Sequence, residues 1–149
     1  MFDGREPLDF WSWGDDRAMV TGFMDLACML ELAVLNGESP ELWPAGYRKL
    51  MLLFNWEASA QSDGWSQYFE ATDELVEAVC TLFRFIGLPE EADAIRRARS
   101  AADEGGDVEE LSAAYNAVRH EMSVDLDRLE YMARWFRDNA GFYLYREPQ

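Results

Sequence analysis

Apolar residues recur every three or four positions along most of this chain, and no segment of useful length alternates polar with apolar. That spacing stacks side chains on one face of a helix of about 3.6 residues per turn and argues against half-buried strands. The expected fold is all-α: a single compact domain over residues 1–149 with about six helices. Arg17 to Leu35 is apolar around most of its circumference (Val20, Phe23, Met24, Ala27, Met29, Leu30, Val34), which predicts a central helix closed by Asn36-Gly37. Ser39-Pro40 caps a short turn, and Pro44 starts a helix to about Ser59 with Tyr47, Leu50, Met51, Phe54 and Ala58 on one stripe. Gln61 to Phe69 interrupts the period around Gly64. Thr72 is placed to cap a helix bearing Leu75, Val79, Leu82 and Ile86, with Gly87 ending it.

Pro89 opens the next helix, an Ala-rich one over residues 90–103. Ala94, Ile95, Ala98 and Ala102 face inward there, and Arg96, Arg97 and Arg99 face water. After Gly105-Gly106, Asp107 caps a helix through Val108, Leu111, Tyr115 and Val118. Ser123 then opens a last helix carrying Leu126, Leu129, Met132, Ala133 and Phe136. An aromatic arm (residues 1–14) and tail (residues 142–149) are expected to pack on the body or on a partner, which leaves a homodimer open.

Charge narrows the function. Acids number 29 against 13 bases, for a net charge of −16. Direct nucleic-acid binding through a basic surface is excluded, and anionic membrane surfaces are disfavoured. No apolar run reaches the length expected of a membrane span, and no basic-then-apolar leader begins the chain. With only Cys28 and Cys80, both on apolar helix faces and expected to be buried and inert, the setting reads as cytoplasmic. His120 is the one histidine and has no partner at metal-binding spacing. A phosphate loop, a dinucleotide fingerprint and a nucleophile elbow are all missing. The expectation is a binding protein, not an enzyme, with no catalytic residues, no metal and no cofactor.

The acids are unevenly spread. Asp103 to Glu130 holds nine, opposed only by Arg119 and Arg128. A second group, Glu70, Asp73, Glu74 and Glu77, meets no base before Arg84. Carboxylates four apart on a helix rise by about 6 Å. Phosphates follow each DNA strand every ~3.4 Å. Acid rows on two adjacent helices therefore approximate a phosphate track, onto which a basic protein, DNA-binding proteins included, can dock. The candidate contact residues are Asp103, Glu104, Asp107, Glu109, Glu110, Asp125 and Asp127. The competing reading is solubility, with acids at helix N-termini serving the helix dipole.

One segment carries a recognisable motif: Asn55-Trp56-Glu57, then Ser62-Asp63-Gly64-Trp65-Ser66-Gln67-Tyr68-Phe69. It resembles a bacterial family of small acidic helical proteins that includes a DNA mimic, with a helical Glu followed by Asn-Gly-Gly-Phe-x-Gln-Tyr-Phe. Ala78 to Gly87 and Phe142-Tyr143 extend the resemblance over roughly residues 45–145. Ser62 and Asp63 depart from the pattern, and Trp65 replaces Phe. Gly64 is read as a backbone requirement, Trp65, Tyr68 and Phe69 as core anchors, and Gln67 as a bridge to loop backbone. The resemblance implies a dimer presenting acidic surfaces to a transcription factor. Two alternatives stand beside it. One is an immunity or antitoxin-like protein neutralising a basic toxin. The other is a small-ligand domain with a pocket beside Trp56, Glu57, Trp65 and Gln67.

Overall fold

The computed structural model describes residues 16–62, 70–107, 109 and 125–139. Among these the chain is all-α. Its helices are α1 (Asp16–Leu35), α2 (Ala45–Ser62), α3 (Asp73–Phe85), α4 (Pro89–Asp103) and α5 (Asp125–Asp138), with a 3-10 turn over Pro40–Leu42. The helix expected beyond Asp107, its neighbour His120, the aromatic arm and the tail lie outside the described residues. The chain divides into two compact units, Met1–Asn55 with Leu126–Gln149, and Trp56–Asp125.

The first unit is organised by aromatic packing. α1 buries Met19, Phe23, Leu26, Ala27 and Leu30, α2 buries Tyr47, Leu50 and Phe54, and α5 buries Leu129, Met132, Ala133 and Phe136. Phe23 stacks on Phe54 with ring centroids 5.6 Å apart, and Phe136 closes the cluster at 6.2 Å and 6.1 Å. These separations fall within the favourable range for aromatic pairs. Asn55 Nδ2 donates to the Ala27 carbonyl at 3.4 Å. Ser39-Pro40 does begin the 3-10 turn, but the Ser39 hydroxyl donates to the Glu41 carboxylate instead of capping an amide. That bond holds the Glu41 carboxyl below its ordinary range.

α1 is not the all-round core helix expected from its composition. Met29, Leu32, Val34 and Leu35 are exposed, Leu35 by 76%. Cys28, expected to be buried, is exposed as well. Apolar residues surround this helix, so sequence periodicity could not choose a face; the stripe through Phe23, Leu26, Ala27 and Leu30 is the one that packs. By length and composition alone Arg17–Leu35 could cross a membrane, contrary to the expectation that no segment qualifies. The packing of Phe23 against Phe54 and Phe136 is that of a core helix.

In the second unit α3 and α4 form a hairpin. Partners on α4 rise from Asp93 through Arg96 to Arg99 as those on α3 fall from Arg84 through Glu77 to Asp73, so the helices are antiparallel. Thr72 caps α3 as expected, its Oγ1 accepting the Leu75 N–H at 3.2 Å. The turn between the helices needs Gly87, whose φ is +89°. There the Leu88 N–H bonds the Phe83 carbonyl at 2.8 Å and the Gly87 N–H bonds that of Arg84 at 3.1 Å. This closes the helix C-terminus with a left-handed residue that only glycine adopts cheaply. Val79, Cys80 and Phe83 are fully buried with Ala92, Ala94 and Ala98. Small side chains on α4 let the helices approach closely, and Cys80 Sγ donates to the Ala92 carbonyl at 3.6 Å. Burial raises the Cys80 thiol pKa.

Candidate functional site

Helix ends sort the acids of the second unit into two kinds. Asp73 and Glu74 open α3, and Glu90 and Glu91 open α4. Negative charge there complements the positive end of the helix dipole. Asp103 and Glu104 stand at the opposite end of α4, as its last residue and its C-cap. A carboxylate at that end opposes the dipole by about 0.3–1 kcal/mol at an exposed site. The helix dipole therefore does not account for these two acids.

The turn that carries them is fixed. Gly105 has a φ of +83°. The Gly106 N–H bonds the Ala101 carbonyl at 2.8 Å, and the Gly105 N–H bonds that of Ala102 at 3.0 Å. Asp103, Glu104, Asp107 and Glu109 are all exposed around this turn. Asp103 is partly offset by Arg99, whose Nε lies 3.4 Å from its Oδ1. Glu104 and Glu109 have no ion pair among the described residues.

The second acidic group is not the open cluster that its sequence suggests. Arg96 Nη2 donates to both Glu77 oxygens at 2.9 Å, and this pairing raises the Arg96 pKa. Arg99 Nη2 donates to Asp73 at 2.9 Å, and Arg84 Nη2 to Asp93 at 3.0 Å. Arg96 and Arg99, expected to face water, turn across the hairpin, while Arg97 is exposed. Glu70 and Glu74 are also exposed. The spacing of Asp73 and Glu77 opposite Arg99 and Arg96 was the available signal, readable once the helices are taken as antiparallel.

Of the candidate contact residues, Asp103, Glu104, Asp107 and Glu109 are described and exposed. Glu110 lies outside the described residues. Asp125 and Asp127 lie in the first turn of α5, and their side chains are outside the description. Among the motif residues, Glu57 is only 2% exposed on α2, beside the buried Trp56. Gly64, Trp65, Gln67, Tyr68 and Phe69 lie outside the described residues. Sequence reasoning missed a second buried carboxylate, Glu91. It sits at the third position of α4, where a carboxylate can reach amides of the helix start; the Pro-Glu-Glu opening was its signal. Both Glu57 and Glu91 are engaged by other groups. Among the described residues no group of three or more His, Cys, Asp or Glu is placed to hold a metal ion.

No curated protein and no solved structure matches the chain significantly. A family match does exist over residues 41–143, which include the motif, the hairpin and the acidic turn. With more than half of its length matched, the chain belongs to the DMP19-like protein family.

Proposed function

We propose that this protein is an acidic binding protein that occupies the DNA-binding surface of a basic protein, a transcription factor first among the candidates. The observation that carries the reading is the exposed set Asp103, Glu104, Asp107 and Glu109 around one turn, of which Asp103 and Glu104 stand at a helix C-terminus, where negative charge opposes the dipole. Membership of the DMP19-like family supports it, because the family suggests a DNA-mimic role. The chemistry is complementary: Lys and Arg that would neutralise phosphates meet carboxylates instead. The net charge of −16 speeds encounter with such a partner, and salt weakens it. The role demands binding alone, with no catalytic step and no cofactor, in a cytoplasmic setting. The homodimer implied by the sequence resemblance belongs to this proposal, and sedimentation equilibrium tests it.

The decisive experiment captures partners from native lysate at low salt and elutes them with a salt gradient. A DNA-binding protein released by moderate salt and displaced by duplex DNA is the expected result. A variant combining Asp103→Asn, Glu104→Gln, Asp107→Asn and Glu109→Gln should lose that partner while keeping its helical circular dichroism. Retained binding by this folded variant would overturn the assignment of the contact face. Recovery of a basic toxin would move the reading to an immunity protein.

A further inference from the structure

We infer that Arg99 is a positioning residue that ties the chain leaving the motif to the acidic turn. The inference rests on the proposed function for its effect on binding, but its structural content stands apart from that reading. Arg84 and Arg96 each reach one acidic residue across the hairpin in a half-exposed setting. Arg99 differs. Its side chain is only 18% exposed, and its three nitrogens address three separate places. Nη1 donates to the Ala71 carbonyl at 2.7 Å. Nη2 donates to Asp73 Oδ1 at 2.9 Å. Nε lies 3.4 Å from Asp103 Oδ1.

Those places are the segment that follows the motif in sequence and the start of the acidic set. Ala71 follows the last motif residue, Phe69, by two positions and precedes Thr72, the N-cap of α3. Asp103 is the last residue of α4 and the first of the acidic set. A guanidinium is planar and rigid, so the Ala71 carbonyl and Asp73, which accept from its two Nη atoms, are held in fixed mutual geometry, while Asp103 meets the same charge as an ion pair without a hydrogen bond. A movement of the backbone at Ala71 therefore reaches the Asp103 carboxylate through one side chain. The Arg99 charge, itself fixed by Ala71 and Asp73, attracts the Asp103 carboxylate before a partner arrives, so less freedom is lost on binding. A lysine would keep the charge but, as a point donor on a flexible stem, would not hold this geometry.

Amide hydrogen exchange on the full-length protein tests the coupling without any partner. Arg99→Lys and Arg99→Gln should each speed exchange severalfold in residues 70–75 and in residues 103–107 together. Arg96→Gln, which breaks a two-oxygen ion pair but touches neither Ala71 nor Asp103, should leave residues 103–107 unchanged. Acceleration on one side only, or unchanged protection at 103–107 in both Arg99 variants, would overturn the coupling. Arg99→Lys keeps the test decisive if Arg99→Gln fails to fold.

Affinity for a captured basic partner gives a second readout whose sign discriminates. Arg99→Gln makes the protein more acidic, so electrostatics alone strengthens binding. Loss of positioning weakens it instead, by roughly threefold or more. Equal or tighter binding would refute the positioning role in binding. Capture of no basic partner defeats the proposed function, while hydrogen exchange still decides whether Arg99 couples the two segments.

Discussion

The two units are held together by different physics. In the first, aromatic rings from three helices meet in a cluster, Phe23 on Phe54 with Phe136 closing it. In the second, two consecutive helices bury small and branched side chains and line their rim with Arg–carboxylate pairs. The half-exposed pairs of Arg84 and Arg96 contribute at most about 1 kcal/mol each, whereas burying one large apolar side chain contributes about 1.5–3 kcal/mol. Charge and stability are therefore largely separable in the hairpin. The hairpin can carry a functional charge pattern because its stability rests on Val79, Phe83, Ile95 and Ala98.

Four substitutions probe this contrast. Phe54→Ala should have the largest effect, a loss of about 3–5 kcal/mol in urea unfolding, because a fully buried ring leaves both a cavity and two broken aromatic contacts. A loss under 1 kcal/mol would mean that the cluster does not anchor its unit. Ala98→Leu tests the hairpin by overfilling its alanine face and should cost about 1–3 kcal/mol. Arg96→Gln should cost less than about 1 kcal/mol, and high salt should shrink the difference from wild type. An effect as large as that of Ala98→Leu would show the rim to be structural after all.

The smallest effect at neutral pH should come from ionisation of the Cys80 thiol. Its pKa is raised in the folded protein by burial, so the folded thiol keeps its proton after the unfolded one has lost it. Stability is then intact below the ordinary thiol pKa of about 8.5 and falls as pH rises above it. Unfolding midpoints measured across alkaline pH should decline less steeply in Cys80→Ala. A thiol reagent should label Cys28 quickly in the native state and Cys80 only on unfolding. Equal labelling of both would contradict the hairpin packing.

Helix boundaries were legible because local chemistry marks them. Thr72, Gly87 and Pro89 each act within a few residues of where they stand, and the structure uses all three. α2 ran on to Ser62, past the expected Ser59, because nothing between those residues forbids a helix. The orientation of α1 was not legible, since Met29, Leu32 and Leu35 look as apolar as Leu26 and Leu30. Only packing decides which of them are buried. In the candidate site, the exposure of Glu104 and Asp107 followed from charge alone. The pairing of Asp73 and Glu77 with α4 did not, because their partners lie 26 and 19 positions away in sequence. The burial of Glu57 was equally hidden: a carboxylate on a helix reads as solvated until its surroundings are known.

The aromatic cluster also sets an order in time. Phe23 and Phe136 come from near opposite ends of the chain, whereas the rim pairs of the hairpin span 9, 19 and 26 positions. A long loop loses more chain entropy on closing before its contacts repay the loss. The hairpin should therefore form first, and the first unit should wait for α5. During synthesis from the N-terminus, the acidic turn would emerge on a folded hairpin while Phe23 and Phe54 still lacked their third ring.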